Sequence, residues 1–364
     1  MNSAFDLDQY LTDGVELIVK DALAASLQNP KETAFLLLFA LSAKRAAAAR
    51  SRYAASGRHI PSFLIASITN RCNLHCAGCY ARANSICSDG SNEALLTDSD
   101  WDRIFAQASS AGVSFILLAG GEPMLRTGVI ENAAAHRDIL FPVFTNGTML
   151  SDAMLELIDQ NRNLVPIVSI EGDKAQTDAR RGADTYDKLA ANIARMRERG
   201  ILFGASVTLT TENLPLVTSD DFLSSLRASG AKVAFFVDYV PADPGTDALA
   251  PGDAERDYLA ARLDALRQTQ DGMIYVSFPG DEQFSGGCLA AGRGFFHINP
   301  TGGAEPCPFS PVSDTNLKNV SLLEALDSPL FSRLRSSELL SGHHTGACAL
   351  FGKDEEVGAL RGRA

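Results

Sequence analysis

The chain reads as an α/β protein, a partial, open (βα)6 TIM-like barrel with a helical extension before it and a small cysteine-bearing region after it. Three observations predict this class. Short apolar runs alternate with amphipathic helical stretches from Pro61 onward, the pattern of βα units on a parallel sheet. Residues ahead of that point carry helical signals only, and the alternation ends near residue 285, where glycine and cysteine gather. The expected organisation is residues 1–60 as the helical extension, 61–285 as the barrel and 286–364 as the terminal region, for which 364 residues suffice.

In the extension, Asn29-Pro30-Lys31-Glu32 begins a new helix with proline in its first turn. That helix runs through Ala34–Leu41 into Lys44, Arg45, Arg50 and Arg52. It is expected to pack on the barrel with a solvated cationic end, although an amphipathic basic helix also suits an acidic membrane surface or a partner. Strands are expected near Phe63–Ser67, Val113–Ala119, Phe141–Thr145, Pro166–Ile170, Phe203–Leu209 and Val233–Tyr239. Helices fall between them at Asp98–Ala111, Asp152–Asp159, Tyr186–Arg199 and Ser219–Ala228. Ligands of parallel barrels sit at the C-terminal ends of the strands, and the polar barrel motifs described below fall at such ends.

Bulk properties narrow the field. A net charge of −12 argues against a general nucleic-acid binder, which needs a basic face. The longest apolar run, Ala34–Leu41, is far short of the ~20 residues of a membrane span. The first residues lack the cationic and apolar blocks of a secretory signal. A reducing cytoplasm is the expected compartment, and the odd count of seven cysteines argues against structural disulfides there.

Three cysteines form Cys72-Asn-Leu-His-Cys76-Ala-Gly-Cys79, followed by Tyr80. Thiolates at this CxxxCxxC spacing suit three irons of a 4Fe-4S cube and leave the fourth iron open to a small molecule, where a fourth cysteine would close it. Structural zinc asks for two CxxC-type pairs, and haem attachment needs CxxCH where this chain has Tyr80. The loop resembles the cluster loop of the radical S-adenosylmethionine (SAM) superfamily. That resemblance implies an open iron that chelates the amino and carboxylate groups of SAM.

The second expected strand ends in Ala119-Gly120-Gly121-Glu122-Pro123, whose glycines permit close backbone approach to a ligand. It resembles the family's Gly-Gly-Glu-Pro segment, which implies that its carbonyls and the Glu122 carboxylate receive the methionine ammonium. Thr145-Asn146-Gly147 is similar to a family Thr-Asn-Gly element and also reads as an ordinary Asn-Gly turn. Ser169-Ile-Glu171-Gly172 resembles the Ser-x-Asp-Gly element of members that modify peptides and quinone precursors, with Glu171 where Asp is usual. The Ser169 hydroxyl is then expected at the ribose or carboxylate of SAM. Arg181, beside Gly182, matches a family arginine that pairs with the SAM carboxylate, and equally reads as a helix-flanking surface arginine. By this resemblance Tyr80, Gly120, Gly121, Glu122, Asn146, Ser169 and Arg181 are the expected SAM-site residues, with Asn213 within reach of the adenosine.

In the terminal region, Cys288 and Cys307 flank alternating apolar residues around Asn299-Pro-Thr-Gly-Gly303, which read as a β-hairpin. This resembles the first half of the SPASM extension of radical SAM enzymes, in its shortened twitch form because only Cys348 follows. The resemblance implies a small iron-sulfur region with an auxiliary 4Fe-4S cluster on Cys288, Cys307 and Cys348. Its fourth ligand is open among His343, His344, Asp314 and substrate. Three buried thiols or a disulfide pair are the alternative. Cys87 fits no pattern and reads as a small apolar bystander.

By the same resemblance the protein takes an electron from a flavodoxin or ferredoxin, cleaves SAM to methionine and a 5′-deoxyadenosyl radical, and abstracts hydrogen from its substrate. A peptide or protein side chain is the expected substrate. The alternative is a small-molecule step in cofactor assembly, as in the molybdenum-cofactor cyclase, whose Gly-Gly tail is not found in Leu360–Ala364. A non-catalytic iron-sulfur or zinc scaffold is the reading from another class.

Overall fold

A computed structural model describes residues 6–27, 29–84, 86, 87, 89, 94–269, 271–340 and 348–361. The chain opens with two helices, α1 (Leu7–Ser26) and α2 (Pro30–Ala55). Asn29 caps α2 through bonds from the Lys31 and Glu32 amides, and Pro30 occupies the first turn, where a missing N–H costs nothing. Thr97 and Asp100 form the reciprocal capping box of the helix Asp98–Ala111, which ends at left-handed Gly112.

The strands are β1 (Phe63–Thr69), β2 (Phe115–Gly120), β3 (Phe141–Thr145), β4 (Leu164–Ser169), β5 (Gly204–Leu209), β6 (Val233–Asp238), β7 (Ile274–Phe278), β8 (His297–Ile298) and β9 (Ala304–Glu305). They lie in the order β7-β6-β5-β4-β3-β2-β1-β8-β9, so the sheet is open with β7 and β9 at its edges. Neighbours from β1 to β7 run parallel. This is the expected partial barrel with two differences. A seventh strand, Ile274–Phe278, extends it beyond the six units read from the sequence. On the other side β8 pairs parallel with β1 before turning back antiparallel as β9, so the terminal hairpin continues the same sheet. β4 also begins earlier than expected, at Leu164, although Pro166 lacks an N–H to donate.

Trp101, Phe105, Phe141 and Phe236 belong to a core between the sheet and its covering helices. A second core joins Val15, Val19, Leu36 and Phe39 of α1 and α2 to Phe115, Leu140, Val165 and Ile274, at the N-terminal ends of the strands. The Phe39 and Phe115 rings meet edge to face at 5.8 Å. Burying such side chains is worth ~1.5–3 kcal/mol each, enough to anchor the helical pair across the end of the sheet opposite the motifs. Polar ties add to it. Arg50, buried, donates to the Gly112 carbonyl at 2.6 Å, and buried Glu32 pairs with Arg162 at 2.6 Å. α2 thus packs on the sheet as expected, with Lys44, Arg45 and Arg52 exposed, whereas Arg50, read with them as part of the solvated cationic end, is buried on the Gly112 carbonyl. Among the described residues, no helix is long and apolar enough to cross a membrane.

Candidate functional site

The cysteine loop leaves the C-terminal end of β1 and is fastened from three sides. On the β2 side the Gly121 amide donates to the Thr69 carbonyl and the Glu122 amide to the Arg71 carbonyl, both at 2.8 Å. On the β3 side Asn146 Nδ2 donates to Asn73 Oδ1 at 2.8 Å, and Asn73 Nδ2 donates to Thr148 Oγ1 at 2.9 Å. From the helix Lys174–Arg181, the Arg180 carbonyl accepts from the Ala77 amide at 2.8 Å. Cys72, Cys76 and Cys79 are half-buried free thiols held on this frame.

The two glycines serve this fastening. A Cβ on Gly121 would lie 2.0 Å from the Arg71 carbonyl oxygen, and one on Gly120, at φ +121, 2.4 Å from that of Thr69. A close approach of these glycines is made to the backbone entering the cysteine loop. Glu122 takes part in the same bracing. It is buried, with Oε1 accepting from Thr145 Oγ1 at 2.7 Å and the Met124 amide at 3.1 Å, and Oε2 from the Asn146 amide at 2.8 Å. Burial pushes this carboxyl up while the three donors pull it back. Glu122 braces β2 to β3, and Asn146 both makes its turn, accepting from the Thr148 amide at 2.9 Å, and tethers the cysteine loop.

Glu171, the departure from the family's Asp, is the hub of a buried ion cluster. Its Oε1 accepts from Arg181 Nε at 2.8 Å and pairs with Arg180, which also donates to Thr208 Oγ1 at 2.9 Å. Burial pushes the Glu171 carboxyl up, but Arg181 and Arg180 outweigh it and hold it below its ordinary range. Arg181 is thus a buried, paired residue, and the surface alternative does not hold. The same guanidinium groups act on Cys76, whose thiol burial pushes up and the two arginines pull down. Burial pushes Cys72 to about 11. Ser169 is half-buried at the end of β4, opposite Ser206. Asn213 spends Nδ2 on the Thr208 carbonyl at 2.9 Å and Oδ1 on the Thr210 amide at 2.8 Å, tying its own turn together.

Cys288, Cys307 and Cys348 line one cavity together with Glu282 and Phe309. Burial pushes the Cys288 thiol up. A hydrogen bond from the Cys307 thiol to the Cys348 sulfur raises the former and lowers the latter. Tyr80 reaches toward this cavity: its ring meets that of Phe309 at 4.9 Å, and burial, Cys79 and Glu305 all push its phenol up. Asp314 is no lining residue of the cavity, and its Oδ2 accepts from the Leu330 amide at 2.8 Å. His343 and His344 lie outside the described residues. Cys87 is buried, and its amide donates to the Ala81 carbonyl at 2.7 Å.

Sequence reading missed a buried relay that joins the two regions. Ser67 Oγ on β1 lies 2.7 Å from His297 Nε2, and His297 Nδ1 lies 2.7 Å from Glu305 Oε2. The polar residues at 297 and 305, interrupting otherwise apolar hairpin strands, were the available signal.

Among the described residues, no three His, Cys, Asp or Glu side chains converge on a single ion position. A cubane places each thiolate on a different iron and needs no such convergence. Two sets of three free thiols, soft donors suited to iron, fit that group in chemistry and number.

Residues 66–227 match the Radical SAM superfamily. An AdoMet-dependent heme synthase of Methanosarcina barkeri is 28% identical over 310 residues, covering 78% of this chain and 87% of that protein. A PqqA peptide cyclase of Granulibacter bethesdensis is 26% identical over 262 residues, covering 68% of this chain and 67% of that protein. The crystal structure of Streptococcus suis SuiB bound to precursor peptide SuiA superposes with a TM-score of 0.63 at 18% identity, over 86% of this chain and 73% of that one, so the fold is shared. With its CxxxCxxC loop at the end of the first strand of an open parallel sheet, the chain carries a radical SAM domain over residues 66–227.

Proposed function

We propose that this radical SAM enzyme modifies a peptide or protein side chain, with Cys72, Cys76 and Cys79 holding the SAM-binding 4Fe-4S cluster. The observation that carries this reading is the fastening of those three thiols, by backbone bonds from β2 and the Lys174–Arg181 helix, at the ligand end of the sheet. When bound, the cluster and SAM together supply reductive cleavage of the sulfonium and a carbon radical that removes hydrogen from an unreactive C–H bond. The chain's own residues prepare the place. Burial disfavours ionised Cys72 and Cys76, so these thiols stay protonated until iron compensates the charge, and loading releases protons. Arg180 and Arg181 lower that cost at Cys76, and Tyr80, next in the chain to Cys79, sets its ring against Phe309. Gly120 and Gly121 hold the entering backbone in register. Ser169, at the neighbouring strand end, is assigned to the SAM side of the site.

The same reading divides the chain at residues 60 and 285, gives the terminal cysteines an auxiliary 4Fe-4S cluster, takes electrons from a flavodoxin or ferredoxin, and sets the enzyme in the cytoplasm. The PqqA peptide cyclase relative supports a peptide substrate, and a sheet with two open edges offers a long chain lateral entry. The heme synthase relative, matched over more of this chain, favours a second reading, a small heme precursor as substrate.

Anaerobically reconstituted protein, given dithionite and SAM, is expected to release 5′-deoxyadenosine, and Cys72→Ala, Cys76→Ala or Cys79→Ala to abolish the release. Undiminished cleavage in the triple variant removes the assignment. Mass spectrometry after incubation with peptides or with an iron porphyrin separates the substrates: a mass change confined to the porphyrin establishes the second reading.

A further inference from the structure

The cavity that gathers Cys288, Cys307 and Cys348 holds a carboxylate as well. Glu282 lies in the turn Gly280–Ser285 that follows β7, is 6% exposed, and lines the same cavity as the three thiols. Its Oε2 accepts from the Leu289 amide at 3.3 Å, which aims the carboxylate at the backbone next to Cys288. The remaining walls include the Phe278, Phe295 and Phe309 rings. An ionised carboxylate enclosed by aromatic rings and thiols is costly unless a cation shares the space. The nearby Arg293 guanidinium donates to the carbonyls of Cys288, Ser285 and Gly286 and acts on the Glu282 carboxyl only through its charge, which burial outweighs. The Glu282, Cys288, Cys307 and Cys348 side chains, drawn from three chain segments, line this one cavity and offer four donors, one for each iron of a cubane.

We infer that Glu282 is the fourth protein ligand of the auxiliary cluster, placing a carboxylate oxygen on the iron that the three thiolates leave open. This rests on the auxiliary-cluster reading above. It assigns the position left open in the sequence to a residue before the hairpin, while Asp314 is committed to the Leu330 amide.

The test uses the full chain carrying Cys72→Ala, Cys76→Ala and Cys79→Ala, in which any remaining iron belongs to the terminal site. After anaerobic reconstitution this parent is expected to hold about four irons. Adding Glu282→Gln is expected to yield about three irons and the electron paramagnetic resonance signal of a three-iron cluster on mild oxidation. Adding Glu282→Cys is expected to keep about four irons while removing the oxygen-ligated iron from the Mössbauer spectrum. Iron content and spectra unchanged in both variants overturn the assignment of Glu282 while leaving the cluster intact. A parent without iron overturns the auxiliary cluster itself, and the ligand with it.

Discussion

Gly121→Val tests whether the glycine loop serves the ligand or the cysteine loop. The new Cβ would stand 2.0 Å from the Arg71 carbonyl oxygen, 2.5 Å from its carbon and 3.1 Å from its nitrogen, all of them backbone atoms. Ordinary contact begins at about 3.5 Å, so one strand end must retreat by more than about 1 Å. That retreat breaks the bonds from Gly121 to Thr69 and from Glu122 to Arg71. Two buried hydrogen bonds at about 1 kcal/mol each, with overpacking of about 1–3 kcal/mol, give a loss near 4 kcal/mol. Because Arg71 adjoins Cys72, the displacement also spoils the thiol geometry. The variant is therefore expected to lose stability to urea, most of its iron-sulfur absorbance and its SAM affinity together. Full absorbance and wild-type stability with SAM binding alone impaired would refute this reasoning, since the glycine would then be facing the ligand.

Two further outcomes follow from the ion cluster and the terminal thiols. Glu171→Gln leaves Arg180 and Arg181 without their counter-ion and is expected to cost about 3 kcal/mol at neutral pH. The carboxyl is held below its ordinary value of 4.5, so its stabilisation is present above that value and is lost as pH falls through the lower folded one. Urea unfolding of the cluster-free chain across pH 3–7 should show a shallower acid decline in the variant, and parallel curves would count against the pairing. Replacing Cys288, Cys307 and Cys348 by alanine should reduce iron from about eight to about four per chain while SAM cleavage continues; equal iron in both proteins means these thiols are structural.

Local signals carried most of the fold. The Thr97 capping box, the Asn29-Pro30 start and the apolar runs of β1 to β6 were legible because each is decided by near neighbours in the chain. Ile274–Phe278 is as apolar as its companions, but it follows a long helix and precedes a turn with no second helix, which hid its place in the βα rhythm. The cysteine spacing was legible for the same local reason. The protein contacts of Glu122, Glu171 and Gly121 were not, because the fold brings their partners in: Glu122 meets Thr145 of β3, Gly121 meets Arg71 of the cysteine loop, and Glu171 meets Arg180 and Arg181 of the following helix. Glu282 is the extreme case, an acidic turn residue in sequence whose thiol neighbours in the cavity all come from after residue 287.

The pairing of β8 with β1 bears on how the protein is made. Ser67 and His297 are 230 residues apart in the chain, and a ribosome adding 5–20 residues per second needs roughly ten to fifty seconds to cover that span. Throughout that interval one long edge of β1, the strand leading into the cysteine loop, waits without its partner, and unpaired edges invite association with other chains. Iron delivered to Cys72, Cys76 and Cys79 before the hairpin emerges would meet a loop whose supporting strand is still incomplete. A cluster on these cysteines would then be loaded productively only once residues 297–305 have been made and paired.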